Sequence, residues 1–190
     1  DYDTNKDELE NLKSKEISSK IIISENKELK NLIEDYTLSS NKILAKVIVD
    51  HMSPFLRTII INKGSSEGLE IGTNIYDRNY LVGRVIEVNY KSSRVLLLSD
   101  LNSSVPISIT PGNVQAIVVG DGKNSGEIKY IKDNLAKYIE DQSIAYTSGT
   151  GSIFKSGIPV GRVSDIENRF LIYFYIDFDQ LKYVFVDIKL

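Results

Sequence analysis

The residues that could perform chemistry in this chain are few, and a hydrolase triad is the first arrangement to consider. The chain contains one histidine, His51, which follows Asp50 near the end of a predicted strand. The candidate nucleophile is Ser148, and a barrel-type serine hydrolase would need serine, histidine and an acid to converge. Ser148 has neither the Gly-Asp-Ser-Gly setting of chymotrypsin-like proteases nor the G-x-S-x-G elbow of other hydrolases. We therefore predict no catalytic residues, with His51 on a surface or loop and Ser148 in a turn.

Metal and cofactor sites are equally hard to assemble from these residues. Without cysteine and with one histidine, only carboxylate-based metal sites remain. Asp177 and Asp179 would project to one side if their strand continued that far, yet no Gly-punctuated calcium loop surrounds them. Gly122-Lys123 lacks the first glycine of a phosphate loop, and Gly149-Thr150-Gly151 has Phe154 where a dinucleotide loop needs its third glycine. We predict no metal site and no cofactor.

The charge balance argues against nucleic acid as a partner. The chain carries 23 Lys and Arg residues against 26 Asp and Glu residues, which gives a formal net charge of -3. The basic residues are scattered, whereas phosphate binding requires a clustered basic patch. No apolar run approaches the roughly 20 residues needed to span a bilayer.

The first 42 residues are helical in period and contain neither Gly nor Pro, whereas all 12 Gly and all 4 Pro follow them. A heptad frame over this stretch predicts a dimer seam that consists of Leu12, Ser19, Ile22, Asn26, Leu29, Ile33 and Tyr36. A polar Asn at one a position fixes register and strand number in coiled coils. We predict a coiled-coil dimer helix, and the alternative is an amphipathic helix that lies on its own barrel.

From residue 43 onward the sequence consists of short β-rich segments separated by turn residues. Apolar residues alternate, for example from Phe170 to Phe178, which puts one strand face on a core. The pattern predicts a mainly β fold, with an N-terminal coiled-coil helix followed by two small six-stranded-type β-barrels. We expect the helix at 1–42, the first barrel at 43–102 and the second at 103–190, and the C-terminal strands could return to the first barrel. The predicted turn glycines are Gly64, Gly68, Gly72 and Gly83.

Several segments of the β region, taken in order, resemble the bacterial rod shape-determining MreC family. Ile59–Gly68 is similar to the Lys-Gly-Ser-x-x-Gly opening of that family. Leu81–Val88 and Ser93–Asp100 resemble its Leu-Val-Gly-Arg-Val strand and its Ser-x-Val-x-Leu-x-x-Asp segment. The most specific resemblance is Thr147–Gly161, and the similarity covers roughly residues 43 to 190.

The segment Thr147–Gly161 is called the motif loop below. Its family-like residues are Thr147, Ser148, Gly149, Gly151, Phe154, Gly157, Ile158, Pro159, Val160 and Gly161. Lys155 stands where the family usually has Pro, and Ser152 stands where it has Gly. The glycines allow a tight excursion between strands, and we expect Phe154 and Ile158 to plug a barrel end. A barrel-closing loop and a partner-binding site both remain open.

The resemblance implies a non-enzymatic scaffold of the cell-wall elongation complex that controls cell shape. It implies self-association as a homodimer or filament, and binding to a penicillin-binding transpeptidase and to elongation components of the MreD, RodA and MreB types. It also implies a single-pass protein of the cytoplasmic membrane, with a membrane helix before Asp1 and this fragment on the periplasmic or extracellular side. The alternative is a periplasmic adaptor of an efflux or secretion system. Such adaptors carry a helical hairpin within the β part, and no second long helix is predicted after residue 43.

Overall fold

The structure is a computed structural model that describes residues 2–37, 42–53, 55–131, 134–167 and 169–188. The chain divides into a helical unit, Asp1–Ser40, and a β unit, Asn41–Leu190.

The helical unit consists of α1, Tyr2–Thr37. Its polar surface is supported by pairs such as Lys20 and Glu16, whose Nζ and Oε1 atoms lie 2.8 Å apart one helical turn from each other. Within the described ranges, no helix is both long and apolar enough to cross a membrane. The helix ends at Thr37, and Lys42 pairs with Asp187 as the first residue of a strand, one residue before the predicted start of the β region at 43.

The first barrel is closed by six strands that are not all consecutive in the chain. Its members are β1 (Lys42–Ser53), β2 (Leu56–Ile61), β3 (Asn74–Asp77), β4 (Tyr80–Val88), β5 (Ser93–Leu97) and β12 (Tyr183–Asp187). They follow the order β1-β12-β3-β4-β5-β2 around the barrel. The C-terminal strand β12 therefore returns to the first barrel, where it pairs antiparallel with both β1 and β3.

The second barrel is formed by the six strands between β5 and β12. They are β6 (Ser104–Thr110), β7 (Val114–Gly120), β8 (Ser125–Lys129), β9 (Ile144–Thr147), β10 (Pro159–Ile166) and β11 (Arg169–Phe174). The order around the closed barrel is β10-β11-β8-β7-β6-β9. The predicted fold class, a helix followed by two small β-barrels, is confirmed.

The cores follow the strand period of two. In β7 the buried residues Val114, Ala116 and Val118 alternate with half-buried ones, so one face of the strand fills the barrel. From Val95 to Asp100 every residue is buried, which means that the outer face of this segment is covered as well as the inner one.

The alternation from Phe170 to Phe178 overstates the length of β11. The strand ends at Phe174, and Phe178–Gln180 forms a short 3-10 turn. Asp177 caps that turn, because its Oδ1 accepts a hydrogen bond from the Asp179 backbone N–H at 3.1 Å. The two carboxylates therefore do not share one face of a strand, and the apolar residues beyond Phe174 pack from a turn.

Candidate functional site

The structure does not assemble the hydrolase triad that the sequence raised as an alternative. His51 is exposed on β1 of the first barrel, where it pairs with Thr58. Ser148 follows β9 of the second barrel, and its hydroxyl donates to Thr150 Oγ1 at 3.0 Å. Its proton is thus directed at a threonine rather than at an imidazole. In the described part of the chain, no group of three His, Asp or Glu side chains is placed to hold a metal ion.

The motif loop is held in shape by Thr147, which is almost fully buried at the end of β9. Its Oγ1 donates to the Lys155 carbonyl at 2.5 Å and accepts the Ile158 N–H at 2.9 Å. Its backbone carbonyl accepts the Gly157 N–H at 2.8 Å. One threonine therefore ties both ends of the excursion together, and Gly149, Gly151 and Gly157 lie in the span that it closes.

Four positions in the motif loop, Gly149, Gly151, Ser152 and Gly157, adopt the left-handed backbone conformation that its tight turns require. Gly149 has φ of 76° and begins a short 3-10 turn. Ser152, which replaces the usual glycine, has φ of 55° and therefore accepts a conformation that costs a side-chain-bearing residue about 1–2 kcal/mol. Phe154 is buried, in line with its expected role as a plug, while Ile158 is half-buried.

Lys155 reaches from the motif loop to the first barrel. Its Nζ lies 2.5 Å from Asp187 Oδ2 on β12, and the Asp187 side chain is only 9% exposed. A second lysine, Lys42, stacks its Nζ 4.3 Å from the centre of the Tyr76 ring. Burial lowers the pKa of the Lys42 ammonium, an effect that Asp187 opposes and Lys155 reinforces. Burial also raises the pKa of Tyr76, with a further contribution from Asp187.

A groove of about 500 Å³ runs between the motif loop and the first barrel, and it is called the inter-barrel groove below. The first barrel contributes Ile71, which is 72% exposed, together with Gly68, Glu70 and the residues from Gly72 to Asn74. The second barrel contributes Ile153, which is 38% exposed, on the opposite wall. The Lys155–Asp187 ion pair lines the same groove. The groove therefore combines exposed apolar side chains with a charged pair.

A second contact between the barrels is built on Arg57, a buried residue of β2 that the sequence did not single out. Its guanidinium donates to the Gly122 carbonyl at 3.1 Å, to Asn124 Oδ1 at 3.0 Å and to Asp179 Oδ1 at 3.2 Å. Asn124 Nδ2 also donates to Asp179 Oδ2 at 3.1 Å, which closes the network. This set is called the Arg57 junction below.

Asp100 supports the Arg57 junction from the crossover between the barrels. It is fully buried, and its Oδ2 accepts the Arg57 backbone N–H at 2.6 Å. Its Oδ1 accepts both the backbone N–H and the side-chain amide of Asn102, at 2.7 and 3.0 Å. A buried carboxylate requires such hydrogen bonds. The acid that ends the family-like Ser93–Asp100 segment thus fixes the start of the second barrel.

The predicted dimer seam lies on α1, and its described apolar members are available for contact. Leu12 is 61% and Ile22 is 57% exposed, Ser19 and Asn26 are exposed, and Leu29 is half-buried. The side chains of Ile33 and Tyr36 lie outside the described residues. Apolar residues of α1 that are not members of the predicted seam are exposed too, namely Leu9, Ile17, Ile21 and Ile23. The apolar surface of α1 is consequently wider than a narrow two-stranded seam.

The predicted turn glycines occupy two kinds of position. Gly68 and Gly72 have φ of 85° and 90°, as expected in turns, and Gly64 caps a short 3-10 helix in an extended conformation. Gly83 is not in a turn, and that prediction is wrong. It lies within β4, where an added Cβ would sit 2.0 Å from the Leu96 carbonyl oxygen, so the glycine permits the close approach of β5.

The strand order and the motif loop define a double β-barrel protein with an N-terminal helix. Residues 47–187 match the family model described as the rod shape-determining protein MreC, barrel core. The chain belongs to the MreC family.

Individual relatives agree with this assignment. The cell shape-determining protein MreC of Caulobacter vibrioides is 33% identical over 141 residues, which cover 74% of this chain and 40% of the relative. A solved MreC structure is 25% identical to this chain, with a TM-score of 0.75. The match covers 87% of this chain and 98% of the solved one. The chain spans about 40% of the length of the first curated relatives that it matches.

A more distant solved structure contains a second protein. It is a complex between penicillin-binding protein PBP2 and MreC from Helicobacter pylori, in which MreC is 15% identical to this chain with a TM-score of 0.53. It covers 78% of this chain and 99% of that chain. At this identity the likeness concerns the fold alone.

Proposed function

We propose that this chain is a non-enzymatic scaffold of cell-wall elongation that pairs with itself through α1 and binds a penicillin-binding transpeptidase through its barrels. The observation that carries the proposal is the exposed apolar surface of α1, at Leu12 and Ile22, in a member of a cell shape-determining family. Exposed apolar patches of this kind mark interaction surfaces.

The transpeptidase half of the proposal is supported by the Helicobacter pylori complex of PBP2 with MreC. In this chain, the inter-barrel groove is the surface that suits a protein partner best, because Ile71 and Ile153 flank it from two barrels. Self-association beyond the dimer, the elongation components of the MreD, RodA and MreB types, and a membrane helix preceding Asp1 belong to the same proposal. With such a membrane helix, this fragment would lie on the periplasmic or extracellular side of the cytoplasmic membrane.

Binding to the transpeptidase is tested with the full chain immobilised on a sensor and a purified elongation transpeptidase in solution. We expect saturable binding that Ile71→Asp weakens, because a carboxylate would have to be buried without a partner against an apolar surface. The matched control is Tyr90→Asp, which changes an equally exposed residue of the same barrel outside the groove. A folded chain that shows no binding at any accessible concentration would contradict the scaffold proposal. Equal binding by both variants would place the contact elsewhere on the barrels.

A further inference from the structure

Among the described residues, two charged contacts of opposite polarity link the first barrel to the second barrel and to the connection between them. At the Arg57 junction, the first barrel supplies the cation, the β7–β8 turn of the second barrel supplies the Gly122 carbonyl and Asn124, and the connection from β11 to β12 supplies Asp179. At the other contact, the first barrel supplies the anion Asp187 and the second barrel supplies Lys155. The first barrel thus presents one positive and one negative group at two separate places.

Burial makes the separation of these contacts unfavourable. The Arg57 side chain is 8% exposed and Asp187 is 9% exposed, so in each pair the first-barrel member is buried while its partner is more exposed. A buried ion that loses its partner is left without compensation for its lost hydration. A barrel rotation that broke either contact would therefore leave a buried charge unpaired unless water entered.

We propose that the Arg57 junction and the Lys155–Asp187 ion pair form a two-point clamp that fixes the angle between the barrels. One contact alone would leave a pivot, whereas two contacts on different strands, β2 and β12, remove the rotation about it. The inter-barrel groove has walls on both barrels, so its width is set by the same clamp. Arg57 and Lys155 are positioning residues in this proposal, which does not depend on transpeptidase binding.

Additional features of the interface agree with a fixed arrangement. The rings of Tyr80 on β4 and Tyr175 after β11 lie 4.9 Å apart between centroids. The Gly122 backbone N–H donates to the Ser99 carbonyl at 2.9 Å, which ties the β7–β8 turn to the crossover. The ring contact and the hydrogen bond act over short distances, so they stabilise the interface only while the angle between the barrels is kept.

The clamp is tested by the distance between two spin labels in the full chain, measured by pulsed electron paramagnetic resonance. The chain contains no cysteine, so the two labels can be attached to two introduced cysteines, Tyr90→Cys on the first barrel and Tyr130→Cys on the second. Both positions are highly exposed. Labelled chain is diluted with excess unlabelled chain, so that distances between paired chains do not contribute. The control pair, Phe55→Cys with Tyr90→Cys, lies within the first barrel.

The expected result is one narrow distance distribution between the barrels. Arg57→Met combined with Lys155→Ala should lose that narrow maximum, because it removes the cation of both contacts, while the control pair stays unchanged. Lys155→Ala combined with Asp179→Ala alters only exposed side chains and should broaden the maximum, because Arg57 keeps the acceptors Gly122 and Asn124. A broad distribution in the unaltered chain would overturn the proposal. So would a narrow maximum that survives in both variants.

Discussion

Gly83 illustrates how a single residue controls the packing of the first barrel. Strand β5 passes so close to it that a Cβ would meet the Leu96 carbonyl oxygen at 2.0 Å. The contact is with backbone rather than with a flexible side chain, so β4 and β5 would have to move apart to accept any other residue. Glycine is required at this position because the two strands lie so close together, and not because of its backbone conformation.

We therefore expect Gly83→Ala to lower the free energy of unfolding by about 3 kcal/mol, the upper end of the usual cost of overpacking. Gly72→Ala is the matched control, because Gly72 has φ of 90° but open space around it. Its cost should be limited to about 1 kcal/mol of backbone strain. Urea denaturation of the full chain measures both. Equal losses for the two variants would show that conformation, and not the approach of β5, accounts for the glycine.

Arg57 shows where reasoning from the sequence reaches its limit at the residue scale. Its acceptors Gly122, Asn124 and Asp179 lie 65, 67 and 122 positions away along the chain. No local period or turn pattern relates such residues, since the fold alone brings them together. The motif loop could be located because its glycines and Pro159 are adjacent in sequence. The buried partner of Lys155 could not, because Asp187 belongs to a strand near the other end of the β region.

At the scale of elements, the motif loop is a closed excursion whose geometry depends on Thr147. The hydroxyl of this residue joins the Lys155 carbonyl to the Ile158 N–H across the loop. The backbone carbonyl of the same residue holds Gly157 independently. The loop can therefore present Lys155 and Ile153 to the groove from a fixed base.

Thr147→Val keeps the shape of the side chain but removes both hydroxyl hydrogen bonds. We expect the Ile158 amide to lose protection against hydrogen exchange, because its acceptor is gone, with a stability cost of about 2 kcal/mol. The Gly157 amide is an internal control, since its acceptor is the backbone carbonyl of residue 147. Hydrogen exchange followed by NMR distinguishes the two amides. Unchanged protection at Ile158 would mean that the hydroxyl does not hold the loop.

The strands themselves could be located from the sequence, because alternating apolar residues are a local pattern that indicates a strand. The residues at which strands end were harder to predict from the sequence. Apolar alternation continues from Phe174 to Phe178, but Asp177 caps a turn there and the strand has already ended. Gly83 was predicted as a turn glycine, whereas it lies within β4 and the reason for it lies on a neighbouring strand. Closure of the first barrel by β12 depends on long-range pairing that a local pattern leaves open.

At the scale of the whole molecule, the proposed function depends on two surfaces, the exposed apolar residues of α1 and the inter-barrel groove. The proposed clamp would present the two barrels as one body, and α1 would join two such bodies through its apolar residues. Self-association through the helix is the step on which assembly depends in this proposal. The predicted seam residues with described apolar side chains, Leu12, Ile22 and Leu29, share one face in the heptad frame. Ile17 and Ile21 lie on the opposite side of that frame and are exposed to a similar degree.

Association through the predicted seam is tested most directly by the solution mass of the full chain, measured by sedimentation equilibrium over a range of concentrations. The unaltered chain should approach the mass of a dimer as concentration rises. Ile22→Glu combined with Leu29→Glu should remain a monomer, because like charges would face each other across the seam. Ile17→Glu combined with Ile21→Glu, a matched change outside the seam, should still dimerise. A monomeric unaltered chain at every concentration, or a seam variant that dimerises as well as its control, would contradict pairing through α1.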